Sequence, residues 1–125
     1  AGRQVDPRLV ERGDFGRDSG VAAMRALLTR VPDLDAVFCA DDLMAVGALQ
    51  ALREAGRTVP GDVAVVGFED APVAQSADPP LTTVHQSPEV MGREMVRLLL
   101  ETVADPDGAH PGRTLPTRLV VRDSG

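Results

Sequence analysis

The feature that most narrows the fold of this chain is a repeated unit in which a short apolar run stops on a small residue or an acid and a helical pattern follows. In the clearest case Ala36-Val37-Phe38-Cys39-Ala40 meets Asp41-Asp42 and then Leu43-Met44-Ala45-Val46-Gly47-Ala48-Leu49; its echo is Val63 through Phe68 before Glu69-Asp70. Strands alternating with helices over short links predict right-handed βαβ units and a parallel sheet, an α/β fold rather than a bundle or a sandwich. Parallel strands end on a common edge, so the acids of separate strands gather in one crevice outside the strand carboxyl ends, where such folds bind ligands.

The remaining elements follow from periodicity and caps. Residues 8–12 form a short strand candidate, followed by the loop Gly13-Asp14-Phe15-Gly16. Ser19 reads as the N-cap of a helix that carries Met24, Leu27, Leu28 and Val31 on one face and stops at Pro32. Strand 36–40, helix 43–55 closed by Gly56, and strand 63–68 come next, then an irregular connection over 71–81 holding Pro72, Pro79 and Pro80. Thr82-Thr83-Val84-His85 is extended, Ser87-Pro88 opens a helix running to Val103, and Leu115 to Arg122 is a final strand. Ala1-Gly2-Arg3 reads as the end of a helix with its glycine cap. Helix 43–55 bears two apolar stripes, Leu43, Val46 and Leu49 on one side and Met44, Gly47, Ala48, Ala51, Leu52 and Ala55 on the other. A helix covering a single sheet needs only one, so the second stripe points to a subunit interface before a helix buried inside its own domain, with Gln50, Arg53 and Glu54 left as the solvated edge.

Composition excludes several functions. The 125 residues suit one domain. With 19 acids against 13 bases the net charge is -6, which gives no footprint for DNA or anionic lipid. All the bases are arginine and Lys, Asn, Ile, Tyr and Trp are absent, which apart from Trp is a usage expected of a bacterial gene rich in G and C. No apolar run has the roughly 20 residues needed to cross a bilayer, and the start of the chain does not resemble a signal peptide. The single Cys39 lies within an apolar run and reads as a buried, unreactive thiol.

Among residues able to carry chemistry, Asp42 occupies the N-cap position of the helix that follows. Asp41, without a capping duty, offers a carboxylate suited to sugar hydroxyls, ring N–H groups or an amine, or else is a solvated loop acid. Glu69 and Asp70 repeat that placement one strand further on, and Asp41 facing Glu69 disfavours double ionisation. Phe15 sits in a glycine-flanked loop, where spacing alone slightly favours a lid on the core over stacking on a ligand ring. Enzyme signatures are missing: there is no nucleophile elbow, no phosphate loop and no Cys/His set with metal spacing, and no cofactor is expected. A phospho-acceptor domain shares the length and the acidic strand ends but needs a lysine that this chain lacks.

The segments Ala40 to Leu49, Gly56 through Val59-Pro60-Gly61-Asp62 to Asp70, and Pro79-Pro80-Leu81-Thr82-Thr83-Val84 closely resemble the lactose-repressor (LacI/GalR) family of bacterial transcription regulators. Gly13-Asp14-Phe15 and Leu115-Pro116 through Arg122 fit the same pattern, so the likeness covers nearly the whole chain. The resemblance implies a type I periplasmic-binding-protein-like fold, incomplete because the N-terminal lobe is mostly missing. Residues 1–86 then belong to the C-terminal lobe, 87–113 are a crossover helix that packs on the N-terminal lobe, and 114–125 are the strand returning to the C-terminal lobe. It also implies an effector site at Phe15, Asp41, Glu69 and Gln86, with Glu69 a departure from the usual first aspartate. A homodimer contact is implied at Val46, Leu49, Gln50, Arg53, Ser76 and Ala77. The expected effector is a small polar molecule, a sugar before a nucleoside or an amine. Operator DNA would be touched only by a head outside this chain, in the cytoplasm and without a membrane. A periplasmic sugar-binding protein of a transport system is the alternative.

Overall fold

A computed structural model describes residues 6–125; the cap reading at Ala1-Gly2-Arg3 lies outside the described residues. Four strands form one sheet in the order β1 (Ala36–Phe38), β2 (Ala64–Glu69), β3 (Thr82–His85) and β4 (Arg118–Val120). β1, β2 and β3 run parallel, as the strand-acid-helix units require, whereas β4 pairs antiparallel with β3 and sets Arg118 opposite His85. The sheet is therefore mixed: the chain leaves β3, makes a long excursion, and returns along the same edge.

Helix α2 (Asp42–Glu54) packs on the sheet at β2, and helix α1 (Arg17–Arg30) packs on α2. Met24 and Leu27 of α1, Ala48 and Leu52 of α2, Val63 and Val65 at β2, and Leu81 before β3 make the core. Burying a side chain such as Met24 or Leu52 contributes about 1.5–3 kcal/mol relative to exposure. The helices approach closely only because Gly20 and Gly47 face each other's backbones: a Cβ on Gly47 would strike the Arg17 carbonyl, and one on Gly20 would strike Met44. Of the two stripes expected on α2, Met44, Ala48, Ala51 and Leu52 enter the core, while Leu43 is exposed and Val46 half-buried.

Several expectations are corrected. Residues 8–12 do not form a strand: Pro7–Leu9 is a 3-10 turn whose cap, Asp6, accepts the Arg8 amide at 2.9 Å. Proline at the first position presets that turn. The following stretch is tied to the end of α1, because Arg30 donates to the Val10 carbonyl at 3.2 Å and pairs with Glu11 at 2.8 Å. α1 begins at Arg17 with Gly16 as N-cap, so Ser19 is not the cap. Its hydroxyl accepts the Asp14 amide and donates to the Gly16 carbonyl at 2.8 Å, which closes the loop ahead of the helix. The connection over 71–81 contains a short helix, α3 (Pro72–Ser76), and the first and last strands are shorter than their apolar runs.

α4 (Pro88–Ala104) starts on Ser87, whose Oγ accepts the Val90 amide at 3.3 Å, and buries none of its residues. Met91 and Leu98 are half-covered by the strap 113–117, which Arg113 pins through Glu94 at 2.7 Å and Glu101 at 3.0 Å. The rest of the apolar arc is open, with Met95 64% and Leu99 61% exposed.

Candidate functional site

Because β1 to β3 are parallel, their carboxyl ends bring residues 39–42, 69–70 and 85–86 to one edge of the sheet. The structure reverses the roles expected of the first acid pair. Asp41, extended at φ -150, is the N-cap of α2: its Oδ1 accepts the Met44 amide at 2.7 Å, and the residue is only 5% exposed. Asp42, one step into the helix, turns under the sheet edge and is fully buried. It accepts the Thr83 hydroxyl at 2.6 Å and the Ala71 amide at 2.7 Å, joining α2 to β3 and to the link after β2. Gly67 on β2 makes room for it, since a Cβ there would collide with Asp42 Oδ1.

Glu69 and Asp70 end β2 with left-handed backbones, φ 107 and φ 59. Such conformations cost on the order of 1–3 kcal/mol each and persist where the surroundings hold them. Asp70 is held on both oxygens, by Arg122 Nη2 at 2.6 Å and by His85 Nδ1 at 3.1 Å. Burial pushes its carboxyl up, but the hydrogen bond and charge of Arg122, with His85, outweigh burial and hold it below the ordinary carboxylate range. Glu69 is exposed at the rim. Partial desolvation there, then the charges of Asp41 and Asp42, holds it above its ordinary value. The acids of two strands therefore sense one another at the rim.

Phe15, at φ 64, is 63% exposed and does not cap the core. Asp14 Oδ1 accepts the Gly16 amide at 2.9 Å and Ser19 bonds both ends of the loop, so the turn is tight and the ring is left outside. Gly13 lies against the Met44 side chain, which puts this loop beside the first turn of α2 that Asp41 caps.

Phe15 borders a cavity of about 650 Å³ lined by Met24, Leu27, Val37, Cys39 and Met44. Burial, then Asp41 and Asp42, pushes the Cys39 thiol up to about 12, in keeping with an unreactive buried group. Gln86 lies in a different cavity of about 550 Å³, between the end of β3, α4 and the strap. Asp41 and Glu69 line neither. The structure thus brings Asp41 and Glu69 to one rim with the Phe15 loop beside it, and sets Gln86 apart in a cavity that Phe15 does not line.

Val46, Leu49, Gln50 and Arg53 of α2 meet Ser76 and Ala77 around a groove of about 500 Å³. Leu49 is only 4% exposed, covered by this chain itself, while Arg53 reaches Asp78, donating to its carbonyl at 2.9 Å. Sequence reasoning missed Asp70, Thr83, His85 and Arg122 as a cluster; Gly67, a glycine inside an apolar strand, marks a close approach, but to Asp42. Among the described residues no group of His, Cys, Asp and Glu could hold a metal, and no helix is long and apolar enough to cross a membrane.

Residues 1–125 match the family of periplasmic binding protein-like domains. The chain is 54% identical over 125 residues to the HTH-type transcriptional regulator CelR of Thermobifida fusca, covering 100% of this chain and 37% of that protein. It is 43% identical over 120 residues to the regulator MalR of Streptomyces coelicolor, covering 96% of this chain and 34% of the relative. A solved structure, the transcriptional regulator CelR-cellobiose complex, superimposes with a TM-score of 0.88 at 55% identity, over 99% of this chain and 38% of that one. The chain therefore spans little more than a third of the length of the relatives it matches. These relatives are regulators rather than enzymes, which does not favour the transport reading. With its mostly parallel sheet and its acidic rim, this chain belongs to the periplasmic-binding-protein-like domain family, in the form found in the C-terminal part of LacI-type transcriptional regulators.

Proposed function

We propose that this chain is the effector-sensing and dimerising part of a LacI-type regulator, and that its effector is a small sugar bound between this lobe and a second one. The observation that carries the reading is the rim itself: Asp41 and Glu69 stand at the carboxyl ends of neighbouring parallel strands, beside an exposed Phe15. Carboxylates accept hydroxyl hydrogen bonds and an aromatic face covers a pyranose ring, so the three together suit a polyhydroxylated ligand. The likeness to the cellobiose complex favours a β-linked glucose disaccharide. Gln86 would contribute from the crossover.

The open arc of α4 supports the division in which 1–86 and 114–125 form one lobe and 87–113 packs on the other. The groove between α2 and α3 is the proposed contact with a second copy, with Val46 as its accessible apolar centre. Operator DNA would be reached only through a separate head, since the charge of -6 repels phosphate. The protein would act in the cytoplasm, without a catalytic step. Effector binding would shift the operator-competent population by the ligand's differential affinity for the two states.

Calorimetric titration of the complete protein with a panel of sugars and amines tests the effector. Heat from cellobiose is expected, and heat only from amines reverses the assignment. Sedimentation of a Val46→Arg variant tests the dimer: it should run as a monomer, and an intact dimer removes this groove as the contact.

A further inference from the structure

Asp70 is gripped from two strands that flank the excursion into α4: His85 ends β3 before it, and Arg122 follows β4 after it. We infer that Arg122, His85 and Asp70 are positioning residues which hold the Glu69–Asp70 turn in its left-handed conformation and so aim Glu69 at the effector rim beside Asp41. This rests on the effector reading above.

Two consecutive non-glycine residues with positive φ need external support, and each link to that support is present. The side chains of Arg122 and Asp70 are 15% and 13% exposed, so their pair is poorly screened by water. Arg122 cannot follow the turn if it relaxes, because its Nη1 is also bound to the Leu81 carbonyl at 2.8 Å. On the far side the Ala71 amide is fixed on Asp42 at 2.7 Å. Glu69 makes no side-chain hydrogen bond among the described residues, so its direction is set by the backbone that this cluster holds.

The test follows the Glu69 carboxyl by carbon NMR in the complete protein, in the parent and in Arg122→Gln, Arg122→Lys and His85→Gln. Loss of the Arg122 charge alone can only raise the Glu69 midpoint, whereas release of the turn moves Glu69 away from Asp41 and Asp42 and lowers it. A fall towards the ordinary 4.5 is expected in Arg122→Gln, and a smaller one in the other two variants. Cellobiose affinity should weaken about tenfold in Arg122→Gln, equivalent to one lost hydrogen bond, with stoichiometry unchanged. A midpoint that stays or rises in folded Arg122→Gln overturns the inference; if that variant does not fold, the other two decide by the same sign. A parent that binds no sugar while the midpoint falls sinks the effector reading and leaves the positioning role standing.

Discussion

Asp42, in the first turn of α2, accepts the hydroxyl of Thr83 on β3 at 2.6 Å, with both residues shut off from solvent. Helix, sheet and the link at Ala71 meet on this one carboxylate, which stays in the interior only because donors surround it. Thr83→Val keeps the shape and removes a donor. Urea denaturation should show a loss of about 2 kcal/mol, and Thr83→Ser should recover most of it. A Thr83→Val protein as stable as its parent would leave the bond with no stabilising role.

Asp41 has two duties that substitution can separate. As the cap of α2 it is replaceable by Asn, so Asp41→Asn should change stability by only a few tenths of a kcal/mol, while Asp41→Ala loses about 1 kcal/mol. As a charged acceptor for a ligand it is not replaceable, and the enthalpy of sugar binding should drop in Asp41→Asn. Unchanged calorimetry in that variant would confine Asp41 to the cap.

Glu69 and Asp70 give opposite dependences on pH. Glu69 titrates higher in the fold than in the unfolded chain, so its ionised form opposes folding above the ordinary 4.5 and the penalty fades as pH falls. Glu69→Gln should therefore stabilise the protein at neutral pH and have little effect in acid. Asp70 titrates lower in the fold; its contribution is complete above the ordinary 3.8 and is lost as pH falls through the folded value. Asp70→Asn should destabilise at neutral pH, the deficit closing only in strong acid. Denaturation midpoints at neutral and acid pH check both signs, and a Glu69→Gln variant weaker than the parent at neutral pH contradicts the first.

The Cys39 thiol, buried and pushed up to about 12, should resist a water-soluble disulfide reagent in the native protein and react once urea unfolds it. Native labelling at the unfolded rate would mean that the cavity beside Phe15 opens readily.

The parallel strands and the two core helices were legible because each rests on a local signal: apolar runs ending on acids, stripes at helical spacing, Gly56 beyond α2. Asp41 and Asp42 are adjacent and both able to cap; which one does depends on Gly67 and Thr83, distant in sequence, which receive the other. Residues 8–12 have a strand-like composition, but Asp6, Pro7 and Arg30 hold them elsewhere. The Arg122 grip on Asp70 spans most of the sheet and left no local trace. Phe15 was misjudged from spacing because the bonds that turn its ring outward come from Asp14 and Ser19.

His85 stands opposite Arg118, so the chain departs towards α4 and comes back through neighbouring strands in register. Whatever leans on α4 is thus mounted on two joined legs and not on a single thread.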